Sequence, residues 1–516
     1  MLSRIGAVVQ ADLRVRLRRT STLVIFLVLC ALAYKFVPDL ATGRAMIQID
    51  GHRSRYDSAT IAIVTAALCS VVLGMLGFYM VSSAIRRDVV SRTGYVIAAM
   101  PVRSAEYLSG KLLGSVLFLS LVVCGYILNV MGMQLLRGEA PVEPLVYLGT
   151  FIVMTGPVIL VVSALALLFE CVPLLSGRLG DLVYFFVWIA IVALASGAQR
   201  QPAGNWRHYI DIFGMGFLTQ QVSGGLPHAS MSIGSTNFDP AKSVFIFAGI
   251  DWSWRSLAPR VAVSLLVLPL FVLAWPTFHR FDPARIRAAA ARGRFNPLAR
   301  VNLWLKPATR FLVSFAGSGG GVVRLVIAEM LLGFLLAPAT LLILVAAMVA
   351  GTVLPLPLVL STVLPFTFLG LAIAIADMTP RDQTAGVRSL LFTMPGMREH
   401  YLPVKFLATA GTVLLFVLVP LLRLAVARPA SALSLLIGAG CLAATATAFG
   451  VWSRGPKAFA GAFLLFFYGA MNSDDVPAMD FAGFFGVATA QVRLCYAGGA
   501  VALMALLWLT QRRESA

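Results

Sequence analysis

What most constrains this chain is a series of uninterrupted apolar runs, each close to twenty residues long. "TIAIVTAALCSVVLGMLGFYMV", residues 60–81, is one of them. About twenty residues in an α-helix, rising ~1.5 Å each, cross the ~30 Å hydrocarbon layer of a bilayer. In lipid every backbone N–H and C=O must find a partner inside the protein, which leaves helices and closed barrels as spanning structures. A barrel would show ten-residue segments of alternating polarity, and the runs here do not alternate. The sequence therefore reads as an all-α polytopic membrane protein. Composition agrees: 59% of the 516 residues are hydrophobic and 12% are charged, against about 25% charged in average globular chains. The runs predict twelve spans, near 20–38, 59–84, 112–135, 145–169, 181–199, 257–278, 331–353, 357–377, 406–427, 431–452, 457–472 and 489–510. The count falls to ten or eleven if 457–472 is re-entrant.

The formal net charge is +19. In a polytopic protein an excess of Lys and Arg marks the cytoplasmic loops, so no nucleic-acid partner is expected. Twelve spans put both termini on one side. That side also receives Arg86, Arg87, Arg92, Arg103, Lys111, Arg381, Arg388, Arg398, Lys405 and the basic stretch "HRFDPARIRAAAARGRFNPLARVNLWLKPATR". Both termini are therefore expected to be cytoplasmic, with the protein multi-pass in the plasma (inner) membrane. Residues 1–19 form a basic amphipathic segment, with Leu2, Ile5, Val9, Leu13 and Leu17 at helical spacing, suited to the headgroup layer. A second interfacial segment is expected around 322–330. The chain divides into a first half at 1–279, a basic cytoplasmic linker at 280–321 and a second half at 322–516.

Two polar islands interrupt the apolar text in matching places. "RDVVSRTGYVIAAMPVRSAEYLSGK" runs from Arg87 to Lys111, and "RDQTAGVRSLLFTMPGMREHYLPVK" from Arg381 to Lys405. Aligned without gaps, they share Arg87/Arg381, Asp88/Asp382, Met100/Met394, Pro101/Pro395, Tyr107/Tyr401, Leu108/Leu402 and Lys111/Lys405. Proline restrains the residue before it and starts helices, so each island reads as a helix, a break and a helix feeding the third span. A second echo pairs "GFLTQQV" (Gly216 to Val222) with "GVATAQV" (Gly486 to Val492), each after the fifth span of its half and at or before the sixth. Two echoes in the same order point to an internal duplication, parallel because both halves enter the membrane from the same side.

An interfacial basic helix, two spans, a cytoplasmic island and four more spans, with a short element before the last, resembles one half of a type-2 ABC transporter permease. The islands carry the resemblance, with "RRDVVSRTG", "AMP" and "SGK" in the first. The second keeps Arg381-Asp382, Met394-Pro395 and Lys405 but lacks the family's Gly-Thr. The resemblance implies that each island holds a coupling helix docking on a separate ATPase subunit. Arg87, Asp88, Thr93, Gly94, Met100, Pro101, Arg381, Asp382, Met394 and Pro395 would do the coupling. It also implies that the Gly-x-x-Thr-x-Gln-Val segments are short helices dipping in from the outer side, with Gly216, Thr219, Gln221, Gly486, Thr489 and Gln491 as gate residues.

The chain is not expected to be an enzyme. It has no G-x-x-x-x-G-K-[ST] for nucleotide phosphates and no G-x-S-x-G elbow, and its five histidines fall in no metal-ligand spacing. Its six cysteines include no CxxC pair. No cofactor or metal is expected in this chain. ATP and magnesium would sit in two copies of a partner ABC ATPase, with the bilayer and an exported lipid-like, drug-like or peptide cargo as the other partners. Two alternatives use the same twelve spans. One is an ion-coupled secondary transporter, disfavoured because Glu170, Glu329, Asp377 and Arg423 fall near predicted span ends rather than mid-bilayer. The other is a protein that passes ATPase motion to an outer partner without moving cargo.

Overall fold

The computed structural model describes residues 2–278 apart from 173, 174, 176, 203 and 224–230, then Phe281, 303–305 and 307, and 320–515 apart from 338 and 454. Nearly all of the expected linker, 280–321, lies outside the described residues. The chain divides into two compact units, Met1–Ala288 and Ala289–Ala516.

In the first unit the helices are α1 (Leu2–Leu17), α2 (Thr20–Phe36), α3 (Ser58–Val81), α4 (Ala84–Val90), α5 (Thr93–Ala99), α6 (Ser104–Arg137), α7 (Pro144–Met154), α8 (Gly156–Cys171), α9 (Arg178–Gln199), α10 (Met215–Ser223), α11 (Trp254–Leu265) and α12 (Val267–Thr277). In the second they are α13 (Gly321–Leu336), α14 (Ala339–Val353), α15 (Leu356–Ala376), α16 (Arg381–Thr384), α17 (Arg388–Leu391), α18 (Met397–Ala427), α19 (Pro429–Ser453), α20 (Pro456–Met471) and α21 (Ala490–Ser515). Among the described residues eight helices are long and apolar enough to cross a membrane, and eleven if each of three bent pairs counts as one span. The expected span at 457–472 falls on α20, which has 16 residues and is shorter than these. The bent pairs are α1 with α2 at 71°, α7 with α8 at 41° and α13 with α14 at 103°. Pro157, in the first turn of α8, follows the α7–α8 break. Proline offers no N–H and clashes with the preceding turn, so it starts a helix readily and continues one badly. The expected seventh span, 331–353, is corrected: its first residues belong to α13, and the turn comes after Leu336.

The core of the first unit is α3, which packs against α2, α6, α7, α8 and α9. Small residues permit this. A Cβ on Gly74 would stand 2.4 Å from the Phe213 ring, and the Gly74 carbonyl accepts from the Tyr184 hydroxyl. In the second unit α19 carries the same kind of surface, with Ala432, Ala439, Ala443, Ala444, Ala446 and Ala448 buried against its neighbours. Close approach through small residues is the usual way for apolar helices to associate where lipid supplies no hydrophobic drive.

The all-α expectation needs one correction. The first unit contains a three-stranded antiparallel sheet in the order β2–β1–β3, with β1 Arg44–Ile49, β2 His52–Arg53 and β3 Met231–Asn237. Asp50 and Gly51 link β1 to β2 with φ of 50° and 83°. A two-residue Asp-Gly loop with both φ positive matches the right-handed twist of a hairpin, and that signal stands in the sequence. The sheet is tied to the end of α6 by Glu139, which accepts from both Arg53 Nη1 and Nη2 at 2.9 Å and from the Tyr56 amide at 2.9 Å.

The Arg53 hydrogen bonds hold the Glu139 carboxyl below the usual carboxylate range. A depressed carboxyl stabilises the fold above its unfolded value and loses that contribution as pH falls through the lowered one. Protection factors at the amides of β1 and β2, corrected for the intrinsic pH dependence of exchange, should therefore be high at neutral pH and fall as pH drops through the carboxylate range. Glu139→Gln should exchange fast throughout, and equal protection of the variant at neutral pH would remove Glu139 as the tie.

Candidate functional site

The two islands rest on the same construction. In the first unit α1 is basic except for Asp12, which is 2% exposed. Its carboxylate meets Arg16 Nε at 2.6 Å, Lys111 Nζ at 3.2 Å and the Arg87 guanidinium. Lys111, itself buried two turns into α6, reaches Asp88 Oδ2 at 2.8 Å, and the Tyr107 hydroxyl donates to the same oxygen at 2.6 Å. One ammonium thus joins the first helix, the island and the third span. Its third contact is the Ala84 carbonyl, 3.5 Å away, three residues before Arg87.

The second unit repeats this with Glu329 of α13 in the place of Asp12. Lys405 Nζ stands 2.7 Å from Glu329 Oε1 and 2.8 Å from Asp382 Oδ2, and Arg381 Nη1 is 3.5 Å from the same Glu329 oxygen. Lys405 also donates to the Met378 carbonyl at 3.2 Å, again three residues before the Arg-Asp pair. Tyr401 stands where Tyr107 does: the ammonium is 5.6 Å from its ring centroid, against 5.5 Å in the first unit. Ser115 and Thr409, each four residues beyond the lysine, both bond back to its carbonyl.

The shared residues therefore divide into two groups. Arg87, Asp88, Arg381 and Asp382 point into the protein, with Asp88, Arg381 and Asp382 at 9%, 9% and 6% exposure. Met100 and Met394 are 48% and 57% exposed, beside exposed Pro101 and Pro395. Thr93 bonds to Ser91 Oγ at 2.9 Å and turns the chain into α5. Gly94 is required by close approach, since a Cβ there would stand 2.6 Å from the Phe281 ring. Other apolar side chains are exposed on the islands as well: Val89, Tyr95 and Val96 in the first, Val387 and Leu390 in the second.

Sequence reasoning missed Asp12 and gave Glu170 and Glu329 only to the span ends. Glu170 accepts from the amides of Ala84, Ile85 and Arg86 at 2.8, 2.6 and 3.1 Å. It satisfies the open N–H groups of α4, where a helix favours negative charge. The available signal was a single acid in each half's first helix.

The Gly-x-x-Thr-x-Gln-Val segments are also built alike, around acids the motif did not include. Asp211 is 1% exposed and accepts from the Gly214 and Gly216 amides at 2.9 and 2.6 Å. Asp480, fully buried, accepts from the amides of Phe485, Val487 and Ala488 at 3.2, 2.9 and 3.2 Å. An arginine of the following long helix binds the same loop in each: Arg260 donates to the Asp211 carbonyl at 2.6 Å, and Arg493 to the Ala488 carbonyl at 2.9 Å.

The segments differ in shape. Gly216, Thr219 and Gln221 lie on α10, whereas Gly486 lies in a bend, Thr489 in irregular chain just before α21, and Gln491 in the first turn of α21. The expected second dipping helix is therefore corrected to a loop held by Asp480. The two glycines also serve different ends. A Cβ on Gly216 would meet His208 at 2.5 Å, while Gly486 is needed for its φ of 76°. Gln221 ties α10 to the start of α11 through the Asp251 amide at 2.7 Å and the Ser256 hydroxyl. Thr489 accepts from the Val492 amide at 3.3 Å as a cap of α21, and Gln491 is exposed. No protein-family model, curated protein or solved structure matches the chain.

Removing one partner of a buried ion pair strands the other charge and costs about 3–5 kcal/mol. Lys405→Met should sharply lower the thermal midpoint of the purified protein. Combining it with Glu329→Gln and Asp382→Asn should recover part of the loss, because the stranded carboxylates go with it. Additive losses in the triple variant would mean that the three side chains do not act as a unit. Asp480→Asn should likewise raise hydrogen exchange at Phe485, Val487 and Ala488, with little change at Gly214 and Gly216. Unchanged exchange at 485–488 would show that the carboxylate does not hold that loop.

Proposed function

We propose that the chain is the membrane subunit of an ATP-driven exporter, made of two parallel six-helix halves in the plasma membrane with both termini cytoplasmic. Two copies of a separate ABC ATPase dock on the two islands and hold the ATP and magnesium. The observation that carries this reading is the recurrence of one buried ion cluster beneath both islands. Each cluster joins the island to the first helix and to the third span through a single lysine. A push on the island is thereby delivered to a long helix rather than absorbed by a loop.

The division of labour within the islands follows from exposure. Arg87, Asp88, Arg381 and Asp382 act as positioning residues, since a charge already paired inside the protein is not offered to a partner. Docking falls to the exposed apolar side chains near Met100-Pro101 and Met394-Pro395, since apolar side chains freed from water anchor interfaces. The Gly-x-x-Thr-x-Gln-Val segments close the outer end of the path, held by Asp211 and Asp480. The cargo is lipid-like, drug-like or peptide.

Native mass of the complex purified from its own cell should show two ATPase chains to one of this chain. Val96→Glu with Met394→Glu should leave the amount of protein in the membrane unchanged and lower ATPase copurification at least tenfold, each buried apolar anchor being worth about 1.5–3 kcal/mol. Transport by the chain alone, driven by an ion gradient in vesicles without any ATPase, would overturn the reading in favour of a secondary transporter.

A further inference from the structure

The second unit contains a half-open cavity of about 520 Å³, lined by Leu356, Leu360, Ser361, Arg428, Phe484 and Phe485, with Pro357, Pro365 and Met471 completing the wall. That volume lies within the ~300–1,000 Å³ usual for small-molecule sites. Its position follows from α18, which leaves the island at Met397 and ends 31 residues later, next to Arg428. At ~1.5 Å per residue that is about 45 Å, the thickness of a bilayer including its headgroups. The cavity therefore lies about one bilayer thickness along α18 from the island, as a site at the opposite headgroup layer would.

Three features make it a built site rather than a gap. The α15 wall is widened by a π turn at Val359–Val363, which places Leu360 and Ser361 on the lining; such turns recur at functional positions. The Asp480 loop sets Phe484 and Phe485 as the opposite wall. Arg428 supplies a positive charge with no side-chain hydrogen bond or ion pair among the described residues, and its exposure leaves the guanidinium available.

The comparison with the first unit sharpens the point. There, Arg137 at the end of α6 is consumed in closing α2, donating to the carbonyls of Tyr34 and Val37. In the second unit Arg423 does that work, donating to Gly351 and Leu354 at the end of α14. Arg428 is thus surplus to the fold. The place aligned with it in the first unit is Gln134, which is 2% exposed and fully engaged with Ser58, Tyr147 and the Ala140 and Pro141 carbonyls. One unit has a polar plug at this depth and the other a cavity with a cation at its rim.

We propose that this cavity binds one anionic phospholipid of the adjoining leaflet, with its headgroup phosphate on Arg428 and Ser361 and one acyl chain between Leu360, Phe484 and Phe485. An apolar wall takes the chain, and a guanidinium matches phosphate in geometry as well as charge. The site does not depend on the transport reading and holds whether or not an ATPase docks on the islands.

Purified full-length protein, titrated with phosphatidylglycerol or phosphatidylcholine in detergent and read by native mass spectrometry, tests this. Phosphatidylglycerol should give one retained adduct, and phosphatidylcholine far less. Arg428→Ala should lower phosphatidylglycerol occupancy about tenfold, the scale of one charge-assisted hydrogen bond, and Arg428→Lys should restore part of it. Leu360→Trp should fill the cavity and remove the adduct, while Arg398→Ala, exposed near the island, should leave it intact. Inorganic phosphate at equal concentration should not displace the lipid. Full occupancy in Arg428→Ala, equal loss in Arg398→Ala, or displacement by phosphate alone would each overturn the proposal.

Discussion

The interaction on which the rest depends is the contact of one lysine with two carboxylates at the foot of the third long helix of each unit. Lys111 holds Asp12 and Asp88; Lys405 holds Glu329 and Asp382. Each ammonium is 4% or less exposed, so its desolvation must be met by close, well-aligned acceptors. Those acceptors come from different stretches of chain, the first helix and the island. The geometry of the ion cluster therefore dictates where the first helix crosses the third and where the island leaves the bundle. Around it, the capping of α4 by Glu170 and the packing of Phe281 on Gly94 complete a stiff base in the first unit.

The two units solve the same problem with different reserves. The first adds Arg16, giving three cations to two carboxylates, and fixes it to Ser115. The second has two of each, with its neighbouring island helices reduced to four residues apiece. At the opposite end the roles reverse. The first unit is sealed by Gln134, Ser58 and Tyr147 and covered by a sheet, whereas the second leaves a cavity. A duplicated plan with divergent ends is what parallel halves would show if one end transmits force and the other meets different surroundings.

Much of this was legible beforehand. The helical membrane class follows from run length alone, because a twenty-residue apolar stretch has no other way to satisfy its backbone in lipid. The repeated Arg-Asp, Tyr-Leu and Lys were visible as a pattern. Their reason was not, since Asp12 and Glu329 lie outside the aligned islands, and one acid in an amphipathic helix carries no spacing signal. The same limit hid Asp211 and Asp480, which precede their motif glycines by five and six residues. A gap-free comparison cannot pair them. The Asp50-Gly51 hairpin was readable locally, but its partner strand β3 lies some 180 residues away in the sequence.

What the sequence by itself determined is therefore the local and periodic part: which segments are helices, where prolines break them, and that one polar phrase occurs twice. Tertiary structure alone decided which way the phrase faces. A charged residue on a helix or island is compatible with water, a partner or an internal counter-ion, and only the arrival of a carboxylate from a distant helix chooses among them. For Arg87, Asp88, Arg381 and Asp382 that choice turned an apparent docking surface into the internal joint beneath it. For Arg428, with Arg423 already closing α14, no counter-ion arrives among the described residues, and its charge is left facing the cavity.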